Sequence, residues 1–333
     1  MKVRRWTRTS RAFTAGTGIL VVLLACVPLL LEADVVQKLT TLLILVLLAA
    51  MWNALAGYGG MLSVGQQAFI GIGAYGTVFF AGQGVPPYMA MLLATLLAGA
   101  ISVPISLFAL RLRAAQFAIG MWVIAEVMSI IVRLDRQLGA GTGISLLQLN
   151  EYAPNYRQAY TFWLALTLTV AFLAALFFLL RSPLGASLQA IRDDEEAARS
   201  LGVRVAARKR LLFVLAGLGC GAAGVLVVAN TLFIEPGSVF SVQWSAYMIF
   251  MVLVGGLGTF EGPIIGAILL FAIQTTFTQG GPWYLVGLGA TAALFALVLP
   301  RGLWGTVEER LGLRLLPVGY RVETPDGEKQ AGG

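Results

Sequence analysis

Long uncharged apolar stretches, separated by short polar segments, dominate the pattern of this 333-residue chain. Asp, Glu, Lys and Arg are absent from residues 12–31, 39–110, 158–180, 211–234, 236–260 and 262–300. A helix that crosses a bilayer needs roughly 20 consecutive apolar residues, and Gly- and Pro-containing turns divide the longest stretches. The predicted spans are 12–31, 39–57, 61–82, 88–110, 114–132, 160–180, 211–233 and three short helices within 244–300. The pattern therefore predicts an all-α polytopic membrane protein with about ten transmembrane helices.

Composition supports this prediction and narrows the chemistry. Hydrophobic residues make up 58% of the chain and charged residues 12%, whereas soluble domains carry about 25% charged residues. The chain has no histidine, which excludes imidazole as a base or metal ligand. No lysine lies in a G-x-x-x-x-G-K-S/T motif, so ATP is not expected to bind through a P-loop and no cofactor is expected in this chain. Cys26 and Cys220 lie in apolar stretches and are interpreted as packing residues.

Positive charge is concentrated on one side of the predicted spans. Residues 1–11 carry five positive charges and no acid, and 19 of the 23 Lys and Arg residues fall on that side. Because positively charged loops face the cytoplasm, both termini are predicted to be cytoplasmic. The expected organisation is a basic N-terminus (1–11), a transmembrane domain (12–300) and a partly disordered tail (301–333). This orientation explains the net charge of +7 without a nucleic-acid partner.

The charged loop 181–210 has the signals of two short helices. Ser182 is a good N-cap and is followed by proline, which suits the first helical position. Asp193 or Asp194 is placed to cap a second helix, and Gly202 is placed to end it. Two ordered helices favour a compact docking surface, and the alternative is a solvated loop whose basic residues only fix orientation.

Polar residues at membrane depth are the other candidates. The stretch 53–76 contains seven glycines together with Asn53, Ser63, Gln66 and Gln67. It is interpreted either as a tight helix crossing or as an interrupted helix that lines a substrate pathway. Glu126 is the ionisable residue well inside a predicted span, so it is expected to face the bundle or a cavity. A structural contact and a pathway role both remain open for it.

Several runs together resemble the branched-chain amino-acid ABC importer permeases, specifically the M-type subunit. These runs are LQAIRDDEEAARSLGV, RKRLLFVLAGLGCGAAGVL, GYGGMLSVGQQAFIGIGAY, MVLVGGLGTFEGPIIGA and LRAAQFAIGMWVIAEVMSIIVRL. The resemblance covers most of residues 50–300. It implies a permease domain of the bacterial inner membrane that pairs with a second permease, two ABC ATPase subunits that bind ATP and Mg, and a periplasmic or extracellular substrate-binding protein.

The resemblance also implies that 183–202 is the coupling loop that docks on the ATPase. The coupling residues expected on this basis are Gly185, Ala190, Asp193, Asp194, Glu195, Ala197, Ala198 and Gly202.

The sequence departs from the family in two places, and both put the substrate in doubt. The external loop keeps only a short glycine-rich run at 139–144, and the start of span five has an unusual sequence at 115–122. The cargo is therefore either a branched-chain amino acid or a urea, amide or aromatic-acid solute. The alternative function is a self-sufficient ion-coupled secondary transporter or a membrane-embedded enzyme. It is disfavoured because Glu126 is the one candidate relay residue and no histidine base is present.

Overall fold

The computed structural model describes residues 2–4, 8–113, 115–276, 281–299, 301–311 and 321–323, and this part of the chain is almost entirely helical. The α-helices in it are α1 Arg8–Leu30, α2 Ala33–Asn53, α3 Gln67–Gly82, α4 Pro87–Ala109, α5 Ala115–Leu134, α6 Pro154–Arg181, α7 Pro183–Asp193, α8 Glu195–Ser200, α9 Val205–Thr231, α10 Pro236–Val239, α11 Gln243–Gly255, α12 Gly262–Thr276, α13 Gly281–Val298 and α14 Gly302–Leu311.

Short elements connect these helices. A π-helical turn, Ala54–Tyr58, continues α2, and two 3-10 turns, Arg136–Leu138 and Leu147–Glu151, lie between α5 and α6. The strands are β1 Lys2–Arg4, β2 Ile144–Ser145, β3 Phe233–Ile234 and β4 Arg321–Glu323. Strand β1 pairs antiparallel with β4, and β2 pairs antiparallel with β3.

Each predicted span corresponds to one apolar helix: α1 to α6, α9, α11, α12 and α13. In the described part of the chain, six helical segments are long and apolar enough to cross a membrane, whereas four apolar helices are shorter. Helix α12, for example, has 15 residues and is about 22 Å long, less than the roughly 30 Å hydrocarbon core. The all-α polytopic architecture is therefore confirmed, and the count of ten spans stays a prediction.

The start of the third predicted span is wrong. The prediction placed it at residue 61, but α3 begins at Gln67 and the preceding residues are not helical. Gly60 has a φ of +65°, which a right-handed helix does not accommodate. Gly65 is packed so closely against α5 that an added Cβ would lie 2.0 Å from the Met121 carbonyl oxygen. Gly60 and Gly65 therefore allow a close-packed bend between α2 and α3.

The tightest packing joins α3, α4 and α9. A Cβ at Gly224 on α9 would lie 1.9 Å from the Ile70 carbonyl oxygen on α3, and one at Gly221 would lie 2.3 Å from the Ala98 Cβ on α4. Small residues let helix backbones approach in this way, and van der Waals contact then holds helices together in a bilayer. This trio of helices forms the centre of the chain's core together with α2.

The connections fall at two ends of the bundle. At one end, Arg192 contacts Gly57, and Gly302 lies against Gly256. At the other end, β2 pairs with β3 and Gln37 Nε2 donates to the Asn230 carbonyl oxygen at 3.2 Å. This grouping agrees with the predicted alternation of inner and outer loops. We refer below to the inner end and the outer end on the basis of that predicted orientation.

Candidate functional site

The α7–α8 segment, residues 183–202, is built from the predicted helix signals. Ser182 Oγ accepts a hydrogen bond from the Leu184 amide at 3.1 Å at the start of α7. Asp194 Oδ1 accepts from the amides of Glu196 and Ala197, both at 2.9 Å, at the start of α8. Gly202 follows α8 with a φ of +84°, a left-handed conformation that favours glycine. Two capped helices in a charged loop are thus confirmed.

One side of the α7–α8 segment is buried against the membrane helices. Ile191, Ala198 and Val205 form a small cluster in which Ala198 is 2% exposed. Gly185 is also buried, and a Cβ there would lie 2.0 Å from the Leu180 carbonyl oxygen. Gly185 and Ala198 are thus packed within this chain, and their part in the coupling loop stays a prediction.

The opposite side of the segment is open to solvent. The predicted coupling residues that are exposed are Ala190, Asp193, Asp194, Ala197 and Gly202. Glu195 is half-buried and pairs with Lys209 and Arg199. The hydrogen bond from the Lys209 ammonium lowers the pKa of the Glu195 carboxyl below its usual value. The exposed side thus carries small and acidic residues on a fixed backbone.

Arg192 joins the segment to α2. Its Nη1 atom donates a hydrogen bond to the Gly57 carbonyl oxygen at 2.9 Å, and its Nη2 atom lies 2.8 Å from Asp193 Oδ1. Gly57 lies in the π-helical turn Ala54–Tyr58, and such turns change the helical hydrogen-bond register. A Cβ at Gly57 would lie 2.6 Å from the Gly258 amide nitrogen. Glycine is therefore required where these two backbones meet.

Asn53 joins the same point of α2 to the loop between α11 and α12. Its Oδ1 atom accepts from the Gly258 amide at 2.9 Å, and its Nδ2 atom donates to the Thr259 carbonyl oxygen at 2.8 Å. Both ends of the amide are thus satisfied by loop backbone, as a buried amide requires. Together, Asn53, Gly57, Arg192, Gly258 and Thr259 form what we call the inner junction.

The other predicted pathway residues lie in the bend before α3 and at its first residue, and they are buried in the core. Ser63, Gln66 and Gln67 are each 0% exposed. Gln66 Nε2 donates to Ser63 Oγ at 3.1 Å, and Ser245 Oγ donates to Gln67 Oε1 at 2.6 Å. Both ends of the Gln67 amide are bonded, since its Nε2 atom also donates to the Val64 carbonyl oxygen at 3.0 Å, whereas Gln66 Oε1 is buried without a hydrogen-bond partner among the described residues. A polar cavity of about 140 Å³ lies elsewhere, at the outer end, and is lined by Gln37, Thr40, Arg157, Gln158, Thr161, Ala229, Asn230, Thr231 and Leu232.

Glu126 is on the open side of α5, so it does not face the bundle of this chain, one of the two placements expected for it. The residues of α5 that are buried are Phe117, Met121, Ala125 and Ser129. These recur every four residues and form one stripe, and Glu126 is turned about 100° away from it. Glu126 therefore points away from this chain's own core.

Sequence reasoning did not single out Arg192, Gly57 or Ser245. Their partners are 135 and 178 residues away along the chain, and no local spacing encodes such contacts. The cysteine prediction was half correct, since Cys220 is buried and Cys26 is exposed. Among the described residues, no group of three or more His, Cys, Asp and Glu side chains is placed to hold a metal ion.

Comparison with known proteins gives one consistent family. The model of the family "Branched-chain amino acid transport system / permease component" matches residues 35–299. The chain is 28% identical over 322 residues to the high-affinity branched-chain amino acid transport system permease protein LivM of Escherichia coli K12, covering 89% of this chain and 76% of that protein. No solved structure matches this chain.

Two further relatives cover less of the chain. The probable branched-chain amino acid transport permease protein LivM of Methanocaldococcus jannaschii is 29% identical over 191 residues, covering 56% of this chain and 54% of that protein. The autoinducer 2 import system permease protein LsrC of Klebsiella pneumoniae is 34% identical over 117 residues, covering 34% of this chain and 33% of that protein. Because the family model spans most of the sequence and the described helices, the chain belongs to the permease-component family of branched-chain amino acid transport systems.

Proposed function

We propose that this chain is a permease subunit of an ABC importer for branched-chain amino acids or a related small polar solute. ATP and Mg are bound by partner ATPase subunits, and hydrolysis there drives passage of the solute. The observation that carries the proposal is the α7–α8 segment, which is fixed to the membrane helices on one side and open to a partner on the other. The LivM relatives support the branched-chain cargo, whereas LsrC is a permease of autoinducer 2 import.

The inner junction supports a route for the coupling. A partner that pushes α7 also displaces the Arg192 guanidinium, which is bonded to the Gly57 carbonyl oxygen of α2. Asn53, one turn earlier on α2, is bonded to the backbone at Gly258 and Thr259. Movement of α7 is therefore delivered to α2 and to the α11–α12 loop together. Packed elements with two discrete arrangements transmit such displacements better than flexible loops.

The remaining parts of the importer follow from the same proposal. The partners are a second permease, two ABC ATPases and an external substrate-binding protein, with membrane lipid around the helices and no nucleic acid. The inner end, both termini and loop 181–210 face the cytoplasm of a bacterial cell. The transmembrane domain is 12–300. Within it, Asn53 connects α2 to the α11–α12 loop at the inner junction, whereas Ser63, Gln66 and Gln67 pack in the core in this conformation.

Two neighbouring alanines give the test. Ala197→Asp adds a charge to the open side of α8, so insertion and stability should be unchanged while ATPase stimulation and uptake fall at least tenfold. Ala198→Asp buries the same charge beside Ile191 and Val205, so it should loosen the segment itself. The measurements are ATPase rate and uptake in liposomes that contain the partner subunits, with protease sensitivity of loop 181–210.

The matched control is Ala153→Asp, the same change at an exposed site of the outer end, which should leave both rates at wild-type values. Full uptake by normally expressed Ala197→Asp would reject the docking assignment. Uptake driven by an ion gradient, in liposomes that contain this chain alone, would reject the ABC mechanism in favour of a secondary transporter.

A further inference from the structure

Helix α5 is the least covered of the six described helical segments that are long and apolar enough to cross a membrane. Within the 18-residue apolar stretch of each helix, 22% of the residues of α5 are buried. The corresponding values are 78% for α2 with its π-helical turn and 72% for α9. Its one buried stripe packs on α3 and the bend before it, and the remaining circumference is open. Among these six segments, α5 therefore leaves the largest fraction of its residues open to something outside the chain.

A carboxylate lies at the middle of that open surface. Glu126 is the twelfth of the 20 residues of α5, so it is more than 10 Å from either end of the helix. Within the described part of the chain, Glu126 has no hydrogen-bond or ion-pair partner. Ile119, Trp122 and Ile130 are seven or four residues away and share its side of the helix. They are 59%, 50% and 48% exposed.

Hydrocarbon does not fit this surface. A carboxyl group at the centre of a bilayer is costly unless it meets protein, a partner charge or water. Trp122, the eighth residue of α5, is also far from the headgroup level at which membrane tryptophans concentrate. Tryptophan at the centre of an apolar patch is instead typical of protein–protein contacts. The polar and aromatic residues both indicate a protein neighbour.

A second copy of the chain does not fit the charge. If α5 packed on α5 of an identical chain about a two-fold axis normal to the membrane, each Glu126 would lie at the same depth as its mate. Two carboxyl groups would then face each other with no cation between them, an arrangement without charge complementarity. The complementary neighbour is a different chain that brings a hydrogen-bond donor or a cation.

We propose that the α5 face formed by Ile119, Trp122, Glu126 and Ile130 is the contact surface for a different membrane-spanning chain, the second permease subunit. That subunit places a hydrogen-bond donor against Glu126. The identity of the neighbour rests on the proposed importer function, whereas the existence of a donor-bearing protein neighbour rests on α5 alone.

Site-specific photocrosslinking tests the surface. The crosslinking amino acid p-benzoylphenylalanine is placed at Ile130, on the Glu126 side, or at Ile131, which points about 140° away from Glu126. Both positions are about half exposed. The full chain is expressed with its transporter partners in native membranes, and products are identified by peptide mass. We expect Ile130 to yield a product with a second permease-type chain at least five times more often than Ile131.

Substitution of the acid tests the chemistry. E126L removes both charge and hydrogen bonding, and it should lower co-purification of the second permease at least fivefold, while E126Q should retain more of it. The proposal would be overturned if the two crosslinking positions gave equal yields of the product with the second permease. It would also be overturned if the products were only those of this chain with itself or with lipid. E126L with wild-type co-purification would overturn it as well. The crosslinking variants retain Glu126, and the experiment does not require ATPase activity. It therefore tests the contact surface even if E126L lowers the abundance of the chain or the coupling proposal fails.

Discussion

The α7–α8 segment and the stretch Ser63–Gln67 are both polar interruptions between apolar helices, but they are held in different ways. In the segment, Ser182 and Asp194 cap helices that begin one residue later. In the stretch, Trp52 Nε1 donates to the Ser63 carbonyl oxygen and Ser245 Oγ donates to Gln67 Oε1. The first region is ordered by local chemistry and keeps an open side. The second is also held by distant elements, and its polar side chains are buried.

The largest expected effect belongs to the stretch Ser63–Gln67. Gly65→Ala places a Cβ 2.0 Å from the Met121 carbonyl oxygen, and backbone on both sides leaves no flexible atom to move. We expect a loss of roughly 3 kcal/mol in the free energy of unfolding, or failure to accumulate in the membrane. The midpoint of thermal unfolding in detergent measures it. Gly82→Ala is the control, since nothing lies within 4 Å of that position, and equal stability of the two variants would contradict the close packing.

A smaller effect in the same region comes from Ser245→Ala. Removing the hydroxyl leaves Gln67 Oε1 buried without that donor, which costs about 1–3 kcal/mol. Because Gln67 is 0% exposed, the KM for uptake should stay unchanged while the unfolding midpoint falls. Ser238→Ala, on the exposed side of α10, should change neither. A raised KM at normal stability would return Gln67 to the substrate pathway.

In the open region, Gly202→Ala tests backbone conformation without crowding. No atom lies within 4 Å of an added Cβ, but φ is +84°, so the cost is about 1 kcal/mol. We expect faster hydrogen exchange in α8 and a modest loss of ATPase stimulation. Gly202→Asn should recover part of both, because asparagine tolerates this conformation better than alanine. Identical behaviour of the two variants would show that φ is not the cause.

The smallest effect concerns Glu195. Its pKa is lowered chiefly by the hydrogen bond from Lys209, so the pair stabilises α8 at a pH above the ordinary carboxyl pKa of 4.5. That contribution disappears as the pH falls through the lower, folded value. Because the carboxyl is partly exposed, we expect less than about 1 kcal/mol. Hydrogen exchange of α8 should accelerate between neutral and acidic pH, and Glu195→Gln should remove this dependence. An unchanged pH profile in the variant would exclude the pair.

The comparison also explains what could be predicted from the sequence. The helix ends at Ser182, Asp194 and Gly202 were predictable because each cap acts within three residues. The order of the apolar helices was predictable from the charge-free stretches and from the Gly- and Pro-containing turns that divide them. In contrast, the burial of Ala198 and the exposure of Glu126 depend on which side of a helix meets a neighbour. A single-sequence pattern does not contain that information for helices that are apolar around most of their circumference.

The glycine contacts among α3, α4 and α9 have a mechanical consequence. Where Gly224 faces the Ile70 carbonyl and Gly221 faces Ala98, the backbones already touch, so there is no clearance for sliding and no gap for a solute. These three helices are therefore expected to move as one block. Opening and closing of a solute pathway is therefore expected outside this block. The more exposed helices α5 and α6, which are less tightly packed, are the ones expected to move.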